Sequence, residues 1–255
     1  KSGGKVSNME KIDLMEHLQP HVYIPLKIGN IDLSITNAVI MMWIACILVF
    51  LTLFFAGRAG RLVPKGLQNL MESMVSYLKQ NLIHETIGEE GMAWFPFIAT
   101  LFFFILFCNL LGLIPKGFTA TSNINVTASL AVVVFLCTQG AGIYKHGPFG
   151  YLKKFIPKGV PLWIIPLMLP IEIISQFAKP FSLAVRLFAN MTAGHLVILV
   201  FLSMIIMFKS IIVTPLPLAM AVVMMGFEIF VSLIQAFIFS ILASMYIAEA
   251  VHAEH

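Results

Sequence analysis

Three stretches of this sequence, Ala38 to Ala56, Trp94 to Ile114 and Val126 to Tyr144, contain no Asp, Glu, Lys or Arg at all. A helix needs about 20 apolar residues to cross a hydrocarbon core of about 30 Å, so each stretch is long enough to span a bilayer. Two longer apolar stretches follow, Leu162 to Met207 and Leu216 to Val251, and these do carry a few ionisable groups. Lipid supplies no hydrogen-bond partners to backbone, so runs of this kind fold as helices. The composition agrees: 59% of the 255 residues are hydrophobic and 11% are charged, against about 25% charged in a soluble domain.

The expected fold is an all-α polytopic membrane protein with five crossing helices, over about 38–56, 94–114, 126–144, 162–207 and 216–251. Residues 1–35 read as a polar N-terminal segment outside the membrane, and 36–255 as a single membrane domain. The first apolar run lacks a small-residue cleavage site, so it is expected to be retained as a span. Lys1 to Asn8 is given no role. At about 1.5 Å per residue the last stretch would be about 54 Å long as one helix. It must therefore tilt or lie partly in the membrane plane. Pro166, Pro170 and Pro180 should bend the stretch before it, and the two should form a long tilted antiparallel hairpin.

Basic residues in short loops set orientation. Arg58, Arg61 and Lys65 follow the first span, and Lys145, Lys153, Lys154 and Lys158 follow the third, which places both loops on the cytoplasmic or matrix side. The N-terminus is then outside and the C-terminus inside, with one basic residue, Lys116 or Lys209, in each outer loop. The net charge of +4 is accounted for by these topology signals, so no nucleic-acid partner is expected. Over 65–83, Leu67, Leu70, Met71, Met74, Val75, Leu78 and Leu82 fall on one helix face, the pattern of an amphipathic helix on the membrane surface or against partner helices.

Cys46, Cys108 and Cys137 sit in three separate runs without metal or CxxC spacing, and His252 and His255 are too few to hold a metal. Asn125 to Thr127 forms an N-x-T sequon that abuts a span and reads as a helix start. No phosphate loop or nucleophile triad is present, so neither a cofactor nor catalysis within the chain is expected.

A charge in mid-bilayer costs about 2.5 to 3.5 kcal/mol on insertion scales, so intramembrane charges mark function. Arg186 lies within FSLAVRLFAN, far from either end of its run. Arginine stays protonated at any physiological pH, so it can hold or release a carboxylate but cannot relay a proton. On a helix, Glu172, Gln176, Lys179, Arg186 and Asn190 fall within about 40° of one line. Glu228, Ser232, Gln235 and Tyr246 do the same on the last helix. In an antiparallel pair, level residues have a constant total of positions. Arg186 with Gln235, Asn190 with Ser232, His195 with Glu228, and Glu172 with Glu249 agree in that total to within two. Glu228 and His195 are thereby placed toward the outside, Glu172 and Glu249 toward the inside, and Arg186 between. His195 alone projects to the opposite side of its helix from Arg186. A secondary transporter is the first rival reading, although no inverted repeat supports it. A structural scaffold, in which Arg186 staples Glu172 or Glu228, is the second.

The segment KPFSLAVRLFANMTAGH (Lys179 to His195) resembles the most distinctive stretch of the a subunit of F-type ATP synthases, with Arg186 at the essential arginine and Asn190 at the nearby asparagine. The resemblance extends to CNLLGLIP (Cys108 to Pro115), to FIPKGVP in the basic loop, and to EIFVSLIQAFIFSILASMYI (Glu228 to Ile247). His195 with Glu228, in place of a glutamate and a histidine in that order, resembles the alphaproteobacterial and mitochondrial branch. The resemblance implies a rotating ring of c subunits as partner, a peripheral stalk of b subunits near the surface helix, and other ATP synthase subunits. It implies two aqueous half-channels separated by Arg186. Glu228, His195, Ser232 and Asn190 would belong to the outer one, with Gln235 beside Arg186, and Glu172, Ser182, Tyr246 and Glu249 to the inner.

Overall fold

A computed structural model describes residues 22–25, 27–28, 31–32, 34–58, 64–114, 118–153, 164–208 and 214–252. Arg61, Lys116, Lys154, Lys158, Lys209, His255, the start of the fourth stretch at Leu162, the FIPKGVP loop and most of the polar N-terminal segment lie outside the described residues. Five helices are long and apolar enough to cross a membrane, over Asn37–Arg58, Gly91–Gly112, Ile124–Pro148, Ile165–Phe208 and Pro215–Val251. Each coincides with one expected span. Four short strands precede the first helix and were not expected: β1 (Val22–Ile24) pairs antiparallel with β4 (Ile35–Thr36), and β2 (Lys27–Ile28) with β3 (Ile31–Asp32).

Helix α1 (Asn37–Arg58) buries only Ala38, Ala45, Val49 and Ala56, and leaves Trp43, Phe50, Phe54 and Phe55 exposed. Small residues therefore meet the bundle and large ones face outward. Helix α3 (Phe95–Gly112) is apolar on all sides, which suits a helix enclosed by others. Its Ile98, Phe103 and Ile105 form one core with Leu183, Leu187 and Met191 of α5 (Ile165–Phe208) and with Ala236, Phe239, Ala243 and Ile247 of α6 (Pro215–Val251). The small buried residues Ala236, Ser240, Ala243 and Ser244 on α6 let neighbouring helices approach closely. Helix α5 has 44 residues, about 66 Å at the usual rise, and carries Pro170 and Pro180 within one unbroken helix. Pro166 lies in its first turn, where no intrahelical donor is needed.

The amphipathic segment forms α2 (Leu67–Leu78), extended by a π turn over Lys79–His84. Its buried face is rotated from the expected one. Met71, Leu78 and Leu82 turn inward, but Leu67 and Leu70 are exposed, and Gln68 is buried with its amide donating to Glu72. The inward face is the Gln68, Met71 and Leu78 side; the π turn starts only at Lys79 and re-aims the residues after it. It also brings the Leu82 carbonyl to the hydroxyls of Thr86 and Ser244, which lie 2.6 Å from each other, and so ties the turn to α6. The imidazole of His252 donates to the Ile87 carbonyl (2.8 Å), and that of His146 to the Val251 carbonyl (2.9 Å). These two histidines fasten the last turn of α6, where carbonyls lack helical partners.

Helix α4 (Ile124–Lys153) starts on Asn123, whose side chain accepts from the Asn125 amide. The cap is thus two residues ahead of the sequon, which itself lies in the first turn. Gly147 adopts φ 70°, a left-handed conformation that glycine enters without penalty, and ends the span. The chain turns back there, so that the Tyr151 ring lies against Gly142; a Cβ at Gly142 would run into the ring carbons. Gly142→Val is expected to lower the stability of the purified complex by about 1–3 kcal/mol through overpacking. Adding Tyr151→Ala should restore part of the loss in a thermal-unfolding series, and fully additive losses would disprove the contact.

Candidate functional site

Helices α5 and α6 pack against each other, and two polar clusters lie between them, named outer and inner after the orientation expected from the basic loops. The outer cluster gathers Asn190, Glu228, Ser232 and Gln235. The Asn190 amide donates to the Gln235 carbonyl oxygen at 2.7 Å. Glu228 is 5% exposed, Ser232 0% and Gln235 2%. Glu228 fits because Gly194 faces it: a Cβ there would stand 3.0 Å from a carboxyl oxygen. An open cleft adjoins it, lined by Asn190, Ala193, Gly194, Val197, Met224, Phe227, Glu228 and Val231. Glu228 Oε2, Ser232 Oγ, Gln235 Nε2 and Ser240 Oγ are buried without a hydrogen-bond partner among the described residues. Stranded polar atoms of this kind cost about 1–3 kcal/mol each, so their grouping on α6 beside a cleft marks a place for water or for a partner's polar group.

The inner cluster joins three helices. Lys179 Nζ lies 2.7 and 2.6 Å from the two carboxylate oxygens of Glu249 and 5.7 Å from the centre of the Tyr246 ring. The Gln176 amide donates to Glu172 at 3.2 Å. Gln176, Lys179, Tyr246 and Glu249, with Thr138 of α4, line a second, much narrower cleft. Tyr151, in the segment of α4 beyond its span, closes the arrangement. Its phenol is held above the usual range by burial first and by the Glu249 charge second, partly offset by the nearby Gln139 side chain. It is therefore a neutral hydrogen-bonding group at physiological pH.

Arg186 stands on α5 between the clusters, half-buried, with its charge close enough to act on the Tyr246 phenol. Among the described residues no carboxylate lies within ion-pair distance of it. Neither acid that could staple it is so engaged: Glu172 is held by Gln176, and Glu228 lies against Gly194.

The expected partnerships are corrected in detail. The side chain of Gln235 bonds Asn190, and that of Glu249 pairs with Lys179, so neither joins the residue expected at its own level. Side chains on a helix lean toward their own N-terminus. In an antiparallel pair the two leans are opposed, so long side chains find partners farther along than Cα level predicts. The short contact of Gly194 with Glu228 keeps the expected register. His195, the next residue, is half-buried and does not line the outer cleft; Ser182 is exposed and lines neither cleft. Lys179, Gln139 and Tyr151 were missed as site residues. Lys179 lay on the recognised polar stripe, whereas the other two are brought in only by the turn at Gly147.

Fold and site together define a polytopic membrane protein with a buried polar seam along its last two helices, interrupted by a permanent cation. Residues 39–248 match the sequence profile of the ATP synthase A chain family. The chain is 46% identical over 250 residues to the ATP synthase subunit a of Magnetococcus marinus, covering 95% of this chain and 94% of that protein. It is 42% identical to that of Chloroherpeton thalassium (96% and 79% covered) and 40% identical to that of Parvibaculum lavamentivorans (96% and 95%). The chain belongs to the ATP synthase A chain family, whose members are membrane subunits of the complex and not its catalytic ones.

Asn190→Ala strands the Gln235 carbonyl and is expected to cost about 1–3 kcal/mol. Gln235→Leu added to it should recover part of that loss. Thermal unfolding of the purified complex decides, and strictly additive effects would show that the bond carries no coupling.

Proposed function

We propose that this chain conducts protons between the two membrane surfaces and a rotating ring of c subunits, through two aqueous half-channels that Arg186 keeps apart. The observation that carries this reading is Arg186 itself, a cation inside a membrane helix with no carboxylate at ion-pair distance among the described residues. An arginine left in that state calls for a counter-ion from outside the chain. A carboxylate carried past on a neighbouring ring subunit would meet it in turn, and stay ionised while it did so. The exposed apolar face of α5, with Phe177, Phe181 and Val185, is the surface offered to such a ring.

On the outer side, protons would travel by way of Glu228, His195, Ser232 and Asn190, with the cleft beside Glu228 as their water-filled approach. Glu172, Tyr246 and Glu249 would serve the inner side. Ser182, exposed on α5, would serve the inner side with them. The exposed Leu67, Leu70 and Tyr77 of α2 suit docking of the peripheral stalk or of lipid. Similarity to bacterial relatives and the placement of basic loops favour a bacterial inner membrane, with the N-terminus outside and the C-terminus in the cytoplasm. A scaffold stapled by an Arg186 ion pair is disfavoured by the lack of that pair.

Arg186→Ala should leave the ring bound to the complex while abolishing ATP-driven proton pumping and proton-driven synthesis in reconstituted vesicles. Synthesis at the wild-type rate would refute the proposal. Glu228→Gln and His195→Ala should each slow proton flux by at least tenfold with ring retention intact, in line with the usual loss of a proton-transfer group. Unchanged flux in both would remove them from the outer path.

A further inference from the structure

The proposed proton path leaves Lys179 without a task. It is one of two cations on the polar face of α5, and unlike Arg186 it is fully engaged. Its ammonium holds both oxygens of Glu249 across the helix pair and lies near the Tyr246 ring. The side chains of the pair are 23% and 44% exposed, so it sits at a mouth of the inner cleft, not in its depth. An ordinary exposed ion pair is worth little. This one bridges the two helices that line the path and borders the cleft that Gln176, Thr138 and Tyr246 also line. Near Glu249 stand Lys179 from α5, Tyr151 from α4 and Tyr246 from α6, and Arg186 acts on Tyr246.

We propose that Lys179 is a positioning residue for proton exit: it clamps Glu249 at the inner mouth and must release it each time a proton passes. The step rests on the inner path proposed above. A proton arriving through the cleft forms an O–H bond with a Glu249 carboxylate oxygen, which cancels the ion pair. That bond then breaks to inner water, giving hydronium, and the ionised carboxylate returns to Lys179. The clamp speeds departure of the proton, because a cation this close favours the ionised partner. It also keeps the mouth closed between passages.

The test uses the assembled complex in vesicles whose inner and outer pH are set independently. In Lys179→Met, the cytoplasm-side pH at which synthesis is half-maximal should move upward by roughly half a unit or more, a screened fraction of the effect of a close opposite charge. The dependence on the opposite side's pH should not change. Lys179→Arg, which keeps a cation in reach, should behave as wild type. The inference is overturned by an unshifted profile in Lys179→Met, by an equal shift in Lys179→Arg, or by loss of the ring from Lys179→Met while the remaining complexes keep the wild-type profile. Arg186→Ala in the same vesicles separates this result from the reading beneath it. If Arg186→Ala is inactive and Lys179→Met is unshifted, only the clamp falls. If Arg186→Ala still synthesises ATP, the half-channel reading falls with it.

Discussion

Hydrocarbon offers no partner to a polar group, and the architecture of this chain follows from that one deficit. Backbone groups meet it by forming helices. Side chains meet it across helices: the Thr121 hydroxyl donates to Asn109 at 2.6 Å, Asn190 donates to Gln235, Lys179 holds Glu249, and two hydroxyls meet at Leu82. Where the deficit is left open, the opening is local. Among the described residues, four polar atoms without a hydrogen-bond partner lie on α6 between Glu228 and Ser240, and Arg186 on α5 has no carboxylate at ion-pair distance. Such places are expensive unless a polar group meets them.

The two clusters divide the seam by chemistry as well as by depth. The outer one buries an acid beside an open cleft and surrounds it with neutral amides and hydroxyls. The inner one keeps its acid tied to a lysine near the surface, under two tyrosines.

Much of this was legible in the sequence. The spans were, because charge-free runs of membrane length admit few other folds, and so was the depth order of Glu228, Arg186 and Glu249. The pairings were less so. They depend on side-chain length and lean, which a count of positions along two ideal helices ignores; hence Asn190 meets Gln235 and Lys179 meets Glu249. The buried face of α2 was misjudged at Leu67 and Leu70 because the helix packs on its Gln68, Met71 and Leu78 side, and a polar residue turned inward leaves no mark in an apolar pattern. Tyr151 and Gln139 could not be found at all from periodicity, since the reversal at Gly147 sets them beside α6. His252 looked like an unused tail, and it instead secures the helix end by a bond to a carbonyl that only the folded chain presents.

The central claim is that two wet paths meet at Arg186 without joining. Sided labelling tests it most directly, with Ser232→Cys and Gln176→Cys placed singly in an otherwise cysteine-free complex. A small water-soluble thiol reagent should reach position 232 only from the outside and position 176 only from the inside, while Arg186 is intact. Equal labelling of either position from both sides would mean one continuous channel, and would contradict the role given to Arg186.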